Sequence, residues 1–193
     1  MSNLKIESLP QLAFSIEQER DQDAYAREAL LDRAMGAGRK RKSSEKLRRG
    51  RLPAEGLAFV AREEYGNLVG TVRLWNVAAG VCVDGKPVAA LLLGPLAVSP
   101  DATGTGIGSA LMRHAISEAE RLEHGAVLLV GDAPYYARFG FSAEKTGNLS
   151  MPGPFEKARF LGLELKAGAL DGVRGTLTAT GRKMLAERVR VAA

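Results

Sequence analysis

Two clusters carry the chemistry that this sequence spells out, and both lie between Leu96 and Phe141. In the first, Leu96-Ala97-Val98 closes an apolar run, and Thr103-Gly104-Thr105-Gly106-Ile107-Gly108-Ser109 turns into a segment of helical periodicity. Glycine accepts positive φ and lets a ligand reach the amides with no Cβ in the way. First-turn amides lack intrahelical partners and the helix dipole adds about half a positive charge, so alternate glycines here describe an anion cradle suited to a pyrophosphate. In the second cluster, a short apolar run ends in Gly131-Asp132, followed by Ala133-Pro134-Tyr135-Tyr136-Ala137-Arg138-Phe139-Gly140-Phe141. A phenol placed there can donate a proton to a leaving group at neutral pH.

Other phosphate-binding patterns fit the first cluster less well. A Walker loop needs a lysine after its last glycine, and none follows here. A dinucleotide fingerprint would place Ser109 at its third small position and belongs to the first βα unit of a parallel sheet, whereas several strand-like runs precede this turn.

The elements that must hold these clusters follow from periodicity. Leu12 to Glu17 reads as a strand, and Tyr25, Ala29, Leu30 and Ala34 recur at helical spacing up to Gly36. Leu57–Arg62 and Leu68–Trp75 predict a hairpin around Glu63-Glu64-Tyr65-Gly66-Asn67. Val81–Val83 and Val88–Val98 flank Asp84-Gly85-Lys86-Pro87, and Gly94-Pro95 removes a ladder donor inside the second run, so the sheet should part there. Thr105 to Leu122 is the longest predicted helix, with Ile107, Leu111, Ala115, Ala119 and Leu122 on one stripe. Ala126–Val130 reads as a strand covered on both faces, Pro134–Phe139 as a short helix, Phe160–Leu165 as a strand and Arg182–Val191 as a terminal helix. This order predicts a mixed α/β sheet in a single domain spanning residues 1–193.

The combination resembles the GCN5-related N-acetyltransferase (GNAT) family. Its acyl-CoA motif reads Gln/Arg-x-x-Gly-x-Gly/Ala, matched by Gly106 and Gly108, and its later signature is a tyrosine four residues before Gly-Phe, matched by Tyr136 and Gly140-Phe141. The likeness covers about residues 57–141, and the role of residues 142–193 is left open. It implies an acyl-CoA N-acyltransferase fold, a mostly antiparallel mixed sheet flanked by helices and splayed at its central strands. Acetyl-CoA would be the co-substrate, held by Leu96, Ala97, Val98, Thr103, Gly104, Thr105, Gly106, Ile107, Gly108 and Ser109. An acetyl group would pass to an amine by direct attack, with the amide of Ala97 or Val98 polarising the thioester carbonyl and Tyr136 as general acid for the thiolate. Thr103 departs from the family's glutamine or arginine, which shortens or removes one contact to the pyrophosphate while the amides of Gly104 to Ser109 remain. An amine of pKa near ~10 must shed a proton before it attacks. The strand Ala89–Val98 offers no carboxylate, so Glu63, Glu64 and Asp132, acting through water, are the bases to consider, with a loop cap as the structural reading of Asp132.

Composition sets the outer limits. Hydrophobic residues make up 46% and charged residues 25% of 193, which excludes wholesale disorder. No apolar run approaches the ~20 residues of a membrane span and no signal-peptide core opens the chain, so a cytoplasmic protein is expected. One cysteine and two histidines give no disulfide and no metal-ligand spacing. Cys82 reads as a strand filler, His114 and His124 as exposed helix residues, and Trp75 as core or as a wall of the acceptor pocket. Much of the net charge of +5 sits in Arg39–Arg51, with Arg39, Lys40, Arg41, Lys42, Lys46, Arg48, Arg49 and Arg51 against Glu45. This mobile loop or short helix is a solvated face or a site for coenzyme phosphates, an acidic protein or RNA, although it lacks aromatics for stacking on bases. A non-catalytic acyl-CoA sensor or nucleic-acid-binding module built on residues 39–51 is the alternative to an enzyme. The acceptor, a small molecule or a protein amine, is not legible, and neither is oligomeric state, a homodimer included.

Overall fold

The computed structural model describes residues 13–184. Its main sheet contains β1 (Phe14–Gln18), β2 (Ala58–Glu63), β3 (Leu68–Val81), β4 (Pro87–Val98), β5 (Ala126–Val130) and β7 (Phe160–Glu164), in that spatial order. All neighbours are antiparallel except β4 and β5. A short β9 (Thr178–Ala179) pairs with β3 beyond this path, and β6 (Leu149–Ser150) with β8 (Gly175–Thr176) forms a separate two-stranded ribbon. The helices are α1 (Ala24–Met35), α2 (Glu45–Arg48), α3 (Ile107–Arg121) and α4 (Ala133–Ala137).

The sheet is covered on both faces. Against one face lies α3, whose Ile107, Leu111, Met112, Ala115 and Ala119 are fully buried with Leu57, Phe59, Val72, Leu74, Leu91 and Leu93. Truncating Leu111 would cost about 2–5 kcal/mol, the usual range for a core leucine. On the opposite face Trp75, Val77, Leu92, Leu128 and Phe160 pack with Leu47 of α2 and with Met151, Val173 and Leu177. On that face too, Leu30 of α1 joins Val60 and Leu68. Glu19, just past β1, accepts from Arg73 Nε of β3 at 2.6 Å and pairs with Arg27 of α1, so one buried carboxylate ties three elements together.

Several elements depart from the expectations. β3 continues through Asn76 to Val81, because β4 and β9 supply pairing across a stretch whose own residues signal strand weakly. Cys82 therefore lies outside a strand, in the turn, where its amide donates to Lys86 O at 2.9 Å. His114 is half-buried on α3 with its ring edge-on to Phe59, and His124 is half-buried just past the helix. Arg182 to Met184 is extended, with Lys183 bridging to Arg51; the rest of the expected terminal helix, and Leu12 at the opening strand, fall outside the described residues. No helix among the described residues is long and apolar enough to cross a membrane.

Candidate active site

The sheet opens where Gly94-Pro95 interrupts β4. Pairing of β4 with β5 is confined to Leu91 with Val127 and Leu92 with Leu128, while β4 follows β3 as far as Val98 and β5 follows β7 as far as Val130. A wedge-shaped gap thus separates residues 93–98 from residues 129–130. The ladder to β3 slips by one residue between Leu93 and Leu96, which is a bulge on β4. Its effect is visible in the core. Leu91 and Leu93 before the bulge, and Leu96 and Val98 after it, all reach the α3 face, a pattern that strict alternation would forbid. The Gly94–Pro95 peptide is cis, and the Trp75 indole N–H donates to Gly94 O at 2.6 Å.

Register decides which backbone groups face the gap. Ser99 N donates to Val69 O at 2.8 Å, so alternation directs the amide of Ala97 toward β3 and those of Leu96 and Val98 toward the gap. Thr103 follows a 3-10 turn (Pro100–Ala102) and is exposed. Gly104 and Gly106 have φ of +83° and +86°, values that favour glycine, and a Cβ on either would meet nothing within 4 Å. Thr105 Oγ1 donates to Ala102 O at 2.6 Å, which fixes the turn from inside. Gly106 caps α3 in the left-handed conformation, and the first amide with a helical partner is that of Ala110, bonded to Gly106 O at 3.0 Å. The amides of Ile107, Gly108 and Ser109 are left to converge on open space, where an anion fits.

Tyr136 stands at the far wall of the gap. Asp132 caps α4 by accepting from Tyr135 N at 3.3 Å, which sets the helix at the end of β5. The Tyr136 ring lies on Gly131, where a Cβ would come within 2.1 Å of its Cε2. Burial, helped by Tyr135 and the Asp132 charge, pushes the Tyr136 phenol up to about 12. It is therefore a protonated donor throughout the neutral range. Tyr135 points elsewhere: its hydroxyl is 3.2 Å from where a Gly108 Cβ would be, beside the open amides of α3. Arg138 stacks on Tyr135 at 4.2 Å, and Arg113 of α3 stands over Phe139 at 5.5 Å, so two cations flank a cleft between α3 and the end of α4, which Glu120 also lines.

Of the three carboxylates considered as bases, Glu63 holds the Asn67 side chain in the β2–β3 turn, Glu64 is exposed in the same turn, and Asp132 stands beside Tyr136. The basic segment is divided. Arg39 pairs with Glu28 and Asp32, and Arg51 donates to Gly181 O, whereas Lys40, Arg41, Lys42, Lys46 and Arg49 are exposed. Sequence reasoning missed Gly131, Tyr135 as a neighbour of the cradle, and the Arg113–Arg138 pair. A glycine closing an apolar strand before Asp-x-Pro-Tyr-Tyr was the available signal for the first.

Residues 54–143 match the model of the GNAT acetyltransferase domain. The chain resembles that family over this stretch. It is 29% identical over 153 residues to the uncharacterized N-acetyltransferase YhbS of Escherichia coli, which covers 79% of this chain and 88% of that relative. The crystal structure of E. coli YhbS in complex with CoA superposes with a TM-score of 0.73 at 28% identity, covering 90% of this chain and 93% of the other. A GNAT family acetyltransferase from Brucella melitensis in complex with acetyl-CoA gives 0.64 at 25% identity, with coverage of 87% and 96%. The GNAT expectation from Gly106, Gly108, Tyr136 and Gly140-Phe141 is borne out, as is the mixed, mostly antiparallel sheet. The chain is an N-acetyltransferase.

Proposed function

We propose that the protein moves an acetyl group from acetyl-CoA to a primary amine by direct attack. The observation that carries this reading is the juxtaposition of the β4–β5 gap, the amide cradle at α3 and Tyr136: Val98 and Tyr135, the neighbour of Tyr136, both reach Gly108 of the cradle. The amides of Gly104 to Ser109 hold the pyrophosphate, with Thr103 at the rim, and Leu96 and Val98 offer the backbone groups that pair with pantetheine. The structural relatives named above bind CoA or acetyl-CoA, which supports acetyl-CoA as co-substrate. Acetyl-CoA supplies the activated acyl group; the protein supplies position and charge.

Val98 N–H meets the charge that develops on the carbonyl oxygen as the amine attacks. Tyr136 then gives its proton to the departing thiolate, so no acyl-enzyme is needed. Asp132, through water, takes the ammonium proton. The cytoplasm, where acetyl-CoA is available, is the compartment this chemistry calls for. Calorimetric titration with acetyl-CoA tests the reading: micromolar binding that Gly106→Trp abolishes, with turnover that Tyr136→Phe lowers by about 100-fold or more while binding survives, is the expected result. Absence of binding, or a Tyr136→Phe variant with full activity, would overturn it.

A further inference from the structure

Arg48, on the single turn α2, lies at the bulge from the face opposite α3. A Cβ built on Gly94 would stand 3.6 Å from its Nη1, so the guanidinium rests against the residue at which the sheet parts. Its side chain is 11% exposed. Nη2 reaches Ser44 Oγ and Glu45 Oε2, each at 3.3 Å, and Nε is buried with no hydrogen-bond partner among the described residues. Burial pulls its pKa below the ordinary arginine value; Glu45 opposes that only in part, and the Arg39 charge adds to it. A buried guanidinium with one long ion pair and an unmatched Nε is costly to keep, and a second anion would complete it.

Its position tells which anion. The cradle and the Tyr136 ring belong to the α3 face, where Tyr136 packs with the α3 core, so an incoming amine has the opposite face of the bulge for its approach. That face is built from Trp75, Leu47 and Met151, with the loop after β6 lying on α2, where a Gly153 Cβ would be 3.2 Å from Lys46 Nζ. Two guanidiniums lie among these apolar walls: Arg73, over the Trp75 ring at 5.6 Å, is already held by Glu19, whereas Arg48 beside Gly94 has no such carboxylate on its Nε. Resting on the acetyltransferase reading, we propose that Arg48 binds a carboxylate on the acceptor, and that the acceptor is an amine carrying a carboxylate within a few bonds of its nitrogen, as in an amino acid. A guanidinium fork recognises a carboxylate through paired N–H donors, which also orients the neighbouring nitrogen.

The test compares matched acceptors on the full chain: free L-amino acids against their carboxamides and their decarboxylated amines, with thiol release from acetyl-CoA as the readout. The expected result is a kcat/KM at least about 100-fold higher for the free acids, as the loss of a charged pair predicts. In Arg48→Gln this preference collapses through KM, Arg48→Lys recovers part of it, and acetyl-CoA affinity by calorimetry is unchanged in both. Equal turnover of acids and carboxamides by the wild type, turnover of no free acid, or an Arg48→Gln variant that keeps the preference overturns the assignment without touching the acetyltransferase reading. The wild-type comparison decides even where a variant fails to fold. Failure of the wild type to bind acetyl-CoA marks the other case and removes the parent reading along with this one.

Discussion

Gly131→Ala isolates the contact on which Tyr136 depends. The new methyl would lie 2.1 Å from Cε2, 2.8 Å from Cδ2 and 3.1 Å from Cζ of the ring, while carbon atoms settle at about 3.5–4.0 Å. Gly131 is not at positive φ, so alanine suits the backbone and the whole conflict falls on the phenol. An aromatic ring cannot fold out of the way, and it must retreat by about 1 Å or more, a displacement worth about 100-fold in rate when it moves a reacting group. That corresponds to about 2.7 kcal/mol in the barrier, alongside about 1–3 kcal/mol of overpacking cost in stability. Steady-state thiol release at saturating amine measures the first, and thermal melting the second. Acetyl-CoA affinity is retained, because the cradle lies on α3. The mechanism is checked by a cycle with Tyr136→Phe: once the hydroxyl is gone the ring's position no longer matters, so the double variant is no slower than Tyr136→Phe itself. Multiplicative losses in the double variant, or full activity in Gly131→Ala, would refute the argument.

Three further outcomes follow from the same geometry. Thr103→Arg, at an exposed position on the rim of the cradle, strengthens acetyl-CoA binding by about 5- to 10-fold at low salt, roughly 1 kcal/mol, and the gain shrinks as ionic strength rises, which calorimetry at two salt concentrations reads directly. Glu19→Gln leaves the Arg73 and Arg27 guanidiniums without their shared carboxylate and costs about 3 kcal/mol, lowering the melting temperature by about 6–12 °C; a shift under about 2 °C would refute the role given to that network. Burial, then Tyr135, raises the Tyr136 phenol from its ordinary value to about 12, so the folded protein holds that proton more tightly than the unfolded chain. The resulting stability is intact below pH 10 and declines as pH rises from 10 to about 12, and Tyr136→Phe should flatten that decline in denaturant titrations.

What the sequence made legible was coded locally. The cradle was readable because Gly104, Gly106 and Gly108 are required by backbone conformation and close approach, and α3 because its apolar stripe repeats at helical spacing. β3 beyond Trp75 was not, since Asn76 and Ala78 are extended by their partners on β4 and β9 rather than by their own preference. The same limit hid Arg48. Within Arg39–Arg51 it is one cation among eight, and what singles it out is contact with Gly94, a residue distant in sequence that meets it only across the folded sheet. The gap was anticipated from the missing donor of Pro95, yet which amides face it depends on the register to β3.

On the proposed reading, the bulge lets one sheet serve two ligands. Without the extra residue, Leu96 and Val98 would turn away from α3, and parting the strands would also empty the core beneath them. With it, the α3 face stays filled while the backbone beyond Gly94 is released from β5. Gly94 has φ of +123°, a conformation that side chains avoid, and its carbonyl is fastened by Trp75 from the face where Arg48 lies. On the proposed reading, coenzyme recognition falls to backbone groups on the α3 side, and acceptor recognition to side chains on the other. Changes at Leu47, Arg48 or Met151 should therefore alter which amine reacts without altering acetyl-CoA affinity, whereas changes at Gly104 or Gly106 should do the reverse.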